Sequence, residues 1–547
     1  MTSNFFEKSK EITDRFLQTV LFIDDRIYKK PGDIKHNLES ESLIKVFTKA
    51  RKLCTFCNPT DENDFEDVIE LAKRADVCVI DWNMELKNEE IDDSDEEQDV
   101  DLVDSRGAFS TKLITNLLLE NSNELKLVFI YTGETKLLNI VESLLNSLQD
   151  FGVEKISDNV VGTANSRIII AGKPTLKSTF KHTPELKSWI LEYNDIPEKI
   201  LTEFTRMTVG LISNVALQVL TSIRSNSFKL LSVYSKENDP AFLAHRAMLP
   251  VVDDASELLK NSMLTSIKAI IDYDDVERYC SYNHISMWVD ENTFSVKKYK
   301  IGKKELTLSS KELKRWQKDG FSKAFSSLSL EQFPDEKIDL DKIENIYKNE
   351  LHKNTLSYFI PDDNKIENIE EKFSILTHHK SNFSSPSYIP KLTLGTILKG
   401  QKTNQYWLCI QQKCDSVRIV GDDARRFLFL PLKIITDQKK FNFLIIDKGN
   451  AVKLQVENET HNLRTIRFKS TRDNAVYARK YGKSGNFFFT PFYYKKHKDY
   501  KSKHDETFIW MLDLKDDHAQ RMANAYSAKL SRIGLDESEW LRRWSGN

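Results

Sequence analysis

The sequence predicts an α/β protein. It has an N-terminal doubly wound five-stranded parallel sheet, a helical middle region and a C-terminal α+β domain with a mainly antiparallel sheet. Three observations predict this. Through the first 175 residues, apolar runs of four to seven residues alternate with helical spacings, the pattern of a parallel sheet covered on both faces. Residues 184–281 keep helical spacing, and from 392 onward strand patterns dominate. The length of 547 residues suggests about three or four domains. The boundaries fall at 1–183, 184–281, 282–390 and 391–547.

The N-terminal elements follow in order. VLFIDD (20–25) is a strand that ends in two acids. ESLIKVFTKARK (41–52) places Leu43, Val46, Phe47 and Ala50 at helical spacing. LCTF (53–56) is a short strand, and DFEDVIELAKR (64–74) is a helix with Asp64 as its N-cap. ADVCVID (75–81) is the third strand, FSTKLITNLLLE (109–120) a helix and LKLVFIYT (125–132) the fourth strand. KLLNIVESLLNSLQD (136–150) is a helix and SRIIIAGKP (166–174) the fifth strand. In the middle region, residues 196–226 and 253–280 carry heptad-like apolar spacing, which fits either a dimerising hairpin or a plain helical core. His245 is a ligand, a phosphorylated histidine or a polar residue packed at a helix end. Residues 310–325 and 339–353 read as helices, and 381–391 as a linker by its Ser and Pro content. Strands follow at 394–401, 405–419, 427–435, 441–447, 452–458 and 464–470, and residues 537–544 form an amphipathic helix.

Composition excludes several classes. The net charge of −2 gives no bulk electrostatic case for nucleic acid or membrane partners. The six cysteines are scattered, which fits a reducing compartment rather than a disulfide framework. Cys54-x-x-Cys57 has half the spacing of a zinc site but no second pair beside it. The first seventeen residues lack a signal-peptide core, and TVGLISNVALQVL (208–220) is too short to span a bilayer. The expectation is a cytoplasmic protein.

The strand ends carry the chemistry. In a doubly wound sheet, sites form beyond the carboxyl ends of the strands. Asp24-Asp25, Asp81, Thr132-Gly133-Glu134 and Lys173-Pro174 all leave the sheet at that edge. Three carboxylates packed together repel one another unless a cation joins them. A hard divalent ion with oxygen ligands suits them, and Mg²⁺ is the natural choice. With a lysine and a hydroxyl opposite, the constellation binds and transfers a phosphoryl group, with one carboxylate as nucleophile. The bland alternative has Asp24 and Asp25 capping a helix, Asp81 facing solvent and Lys173-Pro174 in an ordinary turn.

The order DD, D, T, KP at successive strand ends resembles the flavodoxin-like receiver domain of two-component response regulators. Asp81-Trp82-Asn83-Met84 is similar to the phosphorylation loop of chemotaxis-type receivers. The resemblance implies that Asp81 is the phospho-acceptor and that Asp24, Asp25, Asp81 and the Asn83 backbone carbonyl hold Mg²⁺. It implies that Thr132 turns its hydroxyl to the phosphoryl group, that Lys173 pairs with it, and that the Lys173-Pro174 bond is cis. Asn83 and Glu134 then flank the path of the attacking water. Ile170 stands where many receivers carry an aromatic switch residue. An acidic insertion at about 85–104 is a solvated loop or an electrostatic gate beside the site.

YWLCIQQKCDSVRI (406–419) is similar to the C-terminal domain that accompanies such receivers in bacterial defence operons. Together the features resemble the B component of the Detocs family of anti-phage two-component systems. That resemblance implies a sensor histidine kinase as phosphoryl donor, a receiver-effector of the same operon as further partner, and a phosphate-sink role. No separate enzymatic domain is expected, since Cys409 and Cys414 have no histidine tied to them. One alternative is a receiver-controlled effector whose C-terminal domain is a hydrolase or nuclease. The other is a nucleic-acid-binding regulator that uses the basic segment 464–503, with Phe487, Phe488, Phe489, Tyr493 and Tyr494 interleaved. That segment equally fits docking of an acidic partner or of the acidic insertion.

Overall fold

The computed structural model describes residues 4–27, 38–84, 107–120, 124–174, 184–250, 254–292, 297–301, 304–320, 366–380, 388–420, 424–436, 441–457, 459–480, 486–492 and 506–530, with 176, 252, 323–324, 356 and 358–360. The acidic insertion, residues 339–353 and 537–544, and Tyr493 and Tyr494 lie outside the described residues. The chain divides into two compact units: residues 1–293 with 310–324, and residues 294–309 with 325–547.

The first unit opens with α1 (Asn4–Phe16), β1 (Thr19–Ile23), α2 (Ser40–Lys49), β2 (Leu53–Cys57), α3 (Phe65–Arg74) and β3 (Val77–Ile80). It continues with α4 (Ala108–Glu120), β4 (Lys126–Thr132), α5 (Leu137–Ser147), β5 (Glu154–Ser157), β6 (Val160–Gly162) and β7 (Ser166–Gly172). The seven strands take the order β2-β1-β3-β4-β7-β6-β5. The first five are parallel, as the apolar runs predict, and every residue of β3 and β4 is buried. Two core clusters cover the two faces of this sheet, one around Ile80, Leu113, Ile130 and Ile170, the other around Phe22, Phe47, Phe129 and Phe204.

Helices then extend the unit: α6 (Pro184–Lys187), α7 (Ile196–Thr208), α8 (Leu211–Val233), α9 (Asp239–Met248), α10 (Asp254–Tyr273), α11 (Tyr282–Glu291) and α12 (Ser310–Asp319). Pro197 at the start of α7 suits the first turn, where its missing N–H has no partner to lose. Asp76, just before β3, accepts from the backbone N–H groups of Gln18 (2.8 Å) and Thr19 (3.0 Å). It also takes Arg224 of α8 at 3.1 Å, which anchors α8 at the amino-terminal edge of the sheet. Beyond that anchor α8 to α10 bury little, and Phe228 and Met248 are 84% and 85% exposed.

The second unit holds the hairpin β8 (Lys297–Ile301)–β9 (Lys304–Leu308) and α13 (Ile366–His378). Its strands are β10 (Thr396–Gly400), β11 (Tyr406–Cys409), β12 (Ala424–Ile434), β13 (Phe443–Asp447), β14 (Asn450–Val456), β15 (Arg464–Lys469), β16 (Arg479–Lys480), β17 (Phe487–Phe489) and β18 (Phe508–Asp513), followed by α14 (Asp516–Leu530). All pair antiparallel in the order β13-β14-β12-β11-β10-β18-β17-β16, with β15 beside β12.

Several expectations need correction. The N-terminal sheet gains the antiparallel hairpin β5–β6 at the β7 edge. Its strands have four and three residues, and β5 is wholly exposed, so no apolar period marked them. The heptad-like spacing over 196–226 is divided between α7 and α8, because Val209 and Gly210 turn the chain into extended backbone between them. The strand expected over 405–419 stops at Cys409, and a 3₁₀ turn at Lys413–Ser416 follows. Asp64 holds the N-cap position of α3 but makes no side-chain capping bond. Its carboxylate accepts from the backbone N–H (2.7 Å) and hydroxyl (3.0 Å) of Thr60, which closes the preceding turn instead.

Candidate functional site

Register brings the strand ends together. Ile23 is paired with Cys57 on one side and Ile80 on the other, Ile80 with Ile130, and Thr132 with Gly172. The next residues then continue the ladder: Asp24 N–H donates to Cys57 O (3.2 Å), Asp81 N–H to Ile23 O (2.9 Å) and Lys173 N–H to Thr132 O (2.7 Å). Asp24, Asp81 and Lys173 are therefore fixed at one edge by backbone bonds before any side-chain contact is counted.

The side chains converge there. One carboxylate oxygen from each of Asp24, Asp25 and Asp81 lies within 4.8 Å of the other two. The Lys173 ammonium, 5% exposed, reaches Asp24 Oδ2 at 3.1 Å and Asp81 Oδ1 at 3.3 Å. Asp24 also accepts from the Arg26 backbone N–H at 2.8 Å. Burial pushes the Asp81 carboxyl up to about 6; Lys173 pulls it down, and Asp24 and Asp25 push it further up. Burial works against the Lys173 ammonium, but Asp81 and Asp24 more than offset it and hold it above the ordinary lysine range. Thr132 is buried, and its hydroxyl accepts from the Glu134 backbone N–H at 3.2 Å. Asn83 and Glu134 are both half-buried.

Three carboxylates against the bridging lysine and Arg26, whose Nε lies 3.8 Å from Asp25 Oδ2, still leave a surplus of negative charge, and the donors are all hard oxygens. That donor set fits Mg²⁺. The bland alternative fails on placement, because Asp24 and Asp81 are held inside the edge rather than in solvent. The Lys173-Pro174 bond is trans, since no cis peptide occurs among the described residues. The expected cis geometry is a correction: here the Lys173 N–H bond to Thr132 O and the paired carboxylates hold the ammonium.

Three supporting residues escaped the sequence reading. The Asn58 amide, oriented so that its nitrogen donates, lies 3.0 Å from Asp24 O and 2.9 Å from Asp25 O. It follows the end of β2, at the same edge of the sheet as Asp24 and Asp81. Ser110, near the start of α4, donates to Asp81 O (2.8 Å) and Trp82 O (3.0 Å). Gly107 has φ +80°, and a Cβ on it would lie 2.2 Å from the Trp82 ring, so glycine leaves room for that ring. Composition held no signal for either, because each depends on how α4 returns across the acidic insertion.

Ile170 is fully buried in the core. The edge beyond β7 is instead occupied by residues 189–191: Gly172 N–H donates to Trp189 O (2.9 Å) and Leu191 N–H to Gly172 O (3.0 Å). The hydroxyl of Tyr131, adjacent to Thr132, donates to Leu191 O at 2.8 Å.

The remaining candidates separate from this site. Cys54 packs with the core on one face of the sheet and Cys57 with the core on the other, as i and i+3 on a strand must, so the pair cannot share a metal. Burial raises both thiols, Cys54 to about 12. Cys409 is buried with its thiol also raised to about 12 by burial, whereas Cys414 is exposed. His245 is exposed in the last turn of α9. Phe489 is core, and Phe487 packs edge-on against Trp510 at 5.9 Å, so these aromatics do not form an open stacking platform.

A family model described as a response receiver domain matches residues 16–178. Comparison with curated proteins and with solved structures returned no match. The N-terminal segment is a response-regulator receiver, a domain that works in phosphorelays, generally binds Mg²⁺ through acidic residues and takes its phosphoryl group from a histidine kinase. No described helix is long and apolar enough to cross a membrane.

Proposed function

We propose that this chain accepts a phosphoryl group from a sensor histidine kinase on Asp81 and acts as a phosphate sink that restrains an anti-phage defence effector. The observation that carries the acceptor role is the convergence of Asp24, Asp25 and Asp81 around the Lys173 ammonium. Asp24, Asp25, Asp81 and the Asn83 carbonyl would hold Mg²⁺, which supplies charge neutralisation for the incoming phosphoryl oxygens. The chain's own groups do the rest. Asp81 presents a carboxylate oxygen to phosphorus, Lys173 offers an ammonium, and Thr132 offers a hydroxyl. Ser110 holds the carbonyls of Asp81 and Trp82, which fixes the loop that ends in Asn83. Bond making at Asp81 is matched by loss of the donor's histidine nitrogen, so the phosphoryl group moves without other reactants.

The sink reading is supported by three residues. Ile170, buried at the usual aromatic switch position, has no ring to swing. Asn83 and Glu134 flank the acceptor with polar side chains able to orient a water. Homodimerisation through 184–281 accompanies this reading, on the exposed Phe228 and Met248 of α8 and α9; sedimentation of the full chain as a monomer at micromolar concentration would exclude it. The test of the acceptor is incorporation of label from a phosphohistidine donor with Mg²⁺ into wild type and Asp81→Ala. Loss of label in the variant supports the proposal, and label at normal stoichiometry sinks it.

A further inference from the structure

A cavity lies away from the acidic edge, at the opposite edge of the sheet. It measures about 440 Å³ and is walled by α1, α8 and the turn after α10. Ser225 of its wall is the neighbour of Arg224, which pairs with Asp76 before β3. Arg15 lies in the last turn of α1, just before β1. The cavity is thus set against the amino-terminal ends of the strands, whereas Asp81 stands at their carboxyl ends.

Its wall is unusual for a helix interface. The buried face of α8 carries Asn214, Gln218, Thr221 and Ser222 beside Leu217 and Leu230, where an amphipathic helix ordinarily buries an apolar stripe. Asn214 donates to Ser9 Oγ (2.9 Å), and Thr221 to Leu217 O (2.7 Å). Asn214 Oδ1 is left without a partner among the described residues but does not line the cavity; Gln218 and Ser222 do. These two are 6% and 1% exposed, and Gln218 Oε1 and Ser222 Oγ have no hydrogen-bond partner among the described residues. Leaving such atoms unsatisfied destabilises a fold, so their retention points to a ligand that satisfies them.

The other groups define that ligand. Arg15 and Arg278 bring two guanidinium groups to the wall; Arg278 donates one bond to Tyr279 OH at 2.7 Å. Guanidinium forks suit the oxygens of a phosphate. Asp274 and Asp275 add acceptors for hydroxyl groups, and Asp275 is held at φ +49° to form the turn. Tyr273 stands at the rim with its ring exposed, a stacking face for a base. An amide and a hydroxyl side by side read a mixed donor–acceptor edge. We propose that this cavity binds a nucleoside monophosphate, with the phosphate on Arg15 and Arg278, the sugar hydroxyls on Asp274 and Asp275, and the base edge on Gln218 and Ser222.

The test is titration calorimetry of the full chain with AMP, GMP, CMP and UMP, with inorganic phosphate and adenosine alongside. At least one nucleotide is expected to bind, with inorganic phosphate and adenosine each much weaker. Arg15→Gln should weaken that binding about tenfold or more, the effect of one lost bond to a charged group. Ser222→Ala should weaken it as well while leaving the melting temperature of the free protein unchanged or raised, because it removes an unsatisfied hydroxyl. Phosphorylation of Asp81 should proceed normally in both variants. No heat with any of the four nucleotides overturns the proposal. So does binding unchanged in both variants, or inorganic phosphate binding as tightly as the nucleotide.

Discussion

Replacing Lys173 with Met removes the ammonium that bridges Asp24 and Asp81 and keeps the length of its stem. In the wild type the two contacts are 3.1 and 3.3 Å. At an effective dielectric constant near 20 each is worth about 5 kcal/mol of gross attraction. Burying the ammonium opposes this by several kcal/mol, and removing one partner of such a pair leaves a net loss of about 3–5 kcal/mol. The carboxylates then face one another within 4.8 Å, where each ionised pair repels by roughly 3.5 kcal/mol under the same dielectric. Asp81, already at about 6, should rise further and take up a proton near neutral pH. In EDTA at pH 7 the first unit's melting transition should fall by about 10 °C, taking roughly 2–4 °C per kcal/mol for a domain of this size. Mg²⁺ at a hundred times its dissociation constant should restore about 2.7 kcal/mol, and its stabilising shift should exceed that in wild type. Scanning calorimetry of the full chain with and without Mg²⁺ measures both. A variant that melts with wild type in EDTA, or gains less from Mg²⁺ than wild type does, would refute the charge balance drawn here.

Hydrolysis is the expected drain of the sink: replacing Asn83 and Glu134 with bulky apolar residues should lengthen the phospho-Asp81 lifetime about tenfold, a barrier change of roughly 1.4 kcal/mol. A decay time course of labelled protein checks this, and equal decay of variant and wild type leaves only stoichiometric buffering. Since the folded Asp81 sits at about 6, above its unfolded value, its ionisation in the metal-free protein opposes folding. The stability it contributes is complete below about pH 4 and is lost as pH rises through about 6. Asp81→Asn in EDTA should therefore be more stable than wild type at pH 7, by up to about 3 kcal/mol, and equal to it near pH 4; denaturant titrations at the two pH values decide. Gly107→Ala should destabilise the first unit and slow phosphorylation, because its Cβ would overlap the Trp82 ring beside Asp81; unchanged labelling kinetics would show the loop to be independent of that contact.

The acidic edge was legible because β1, β3, β4 and β7 are buried on both faces and read as unbroken apolar runs. The first charged residue after each run marks where the chain leaves the sheet. Strand register then did the rest, since parallel neighbours end level with one another. Asn58 after β2 follows the same pattern, the first strongly polar side chain past the strand end. The β5–β6 hairpin gave no such run, being three to four residues long and exposed along β5. Ser110 and Gly107 act on Asp81 and Trp82 across the 85–104 insertion, and contacts at that separation leave no local pattern. Residues 189–191 join the sheet by main-chain bonds alone, which side-chain periodicity does not report.

Those main-chain bonds have a mechanical consequence. Thr132 ends β4 and Lys173 follows β7, and each is covalently next to a residue that grips 189–191: Tyr131 through its hydroxyl, Gly172 through both its N–H and its carbonyl. The gripped segment runs within five residues into Ile196, the first residue of α7. The linkage is therefore short in sequence, with five residues between Leu191 and the start of α7 at most. Any shift of Thr132 or Lys173 would reach the start of α7 through these three hydrogen bonds, a route that does not include Ile170.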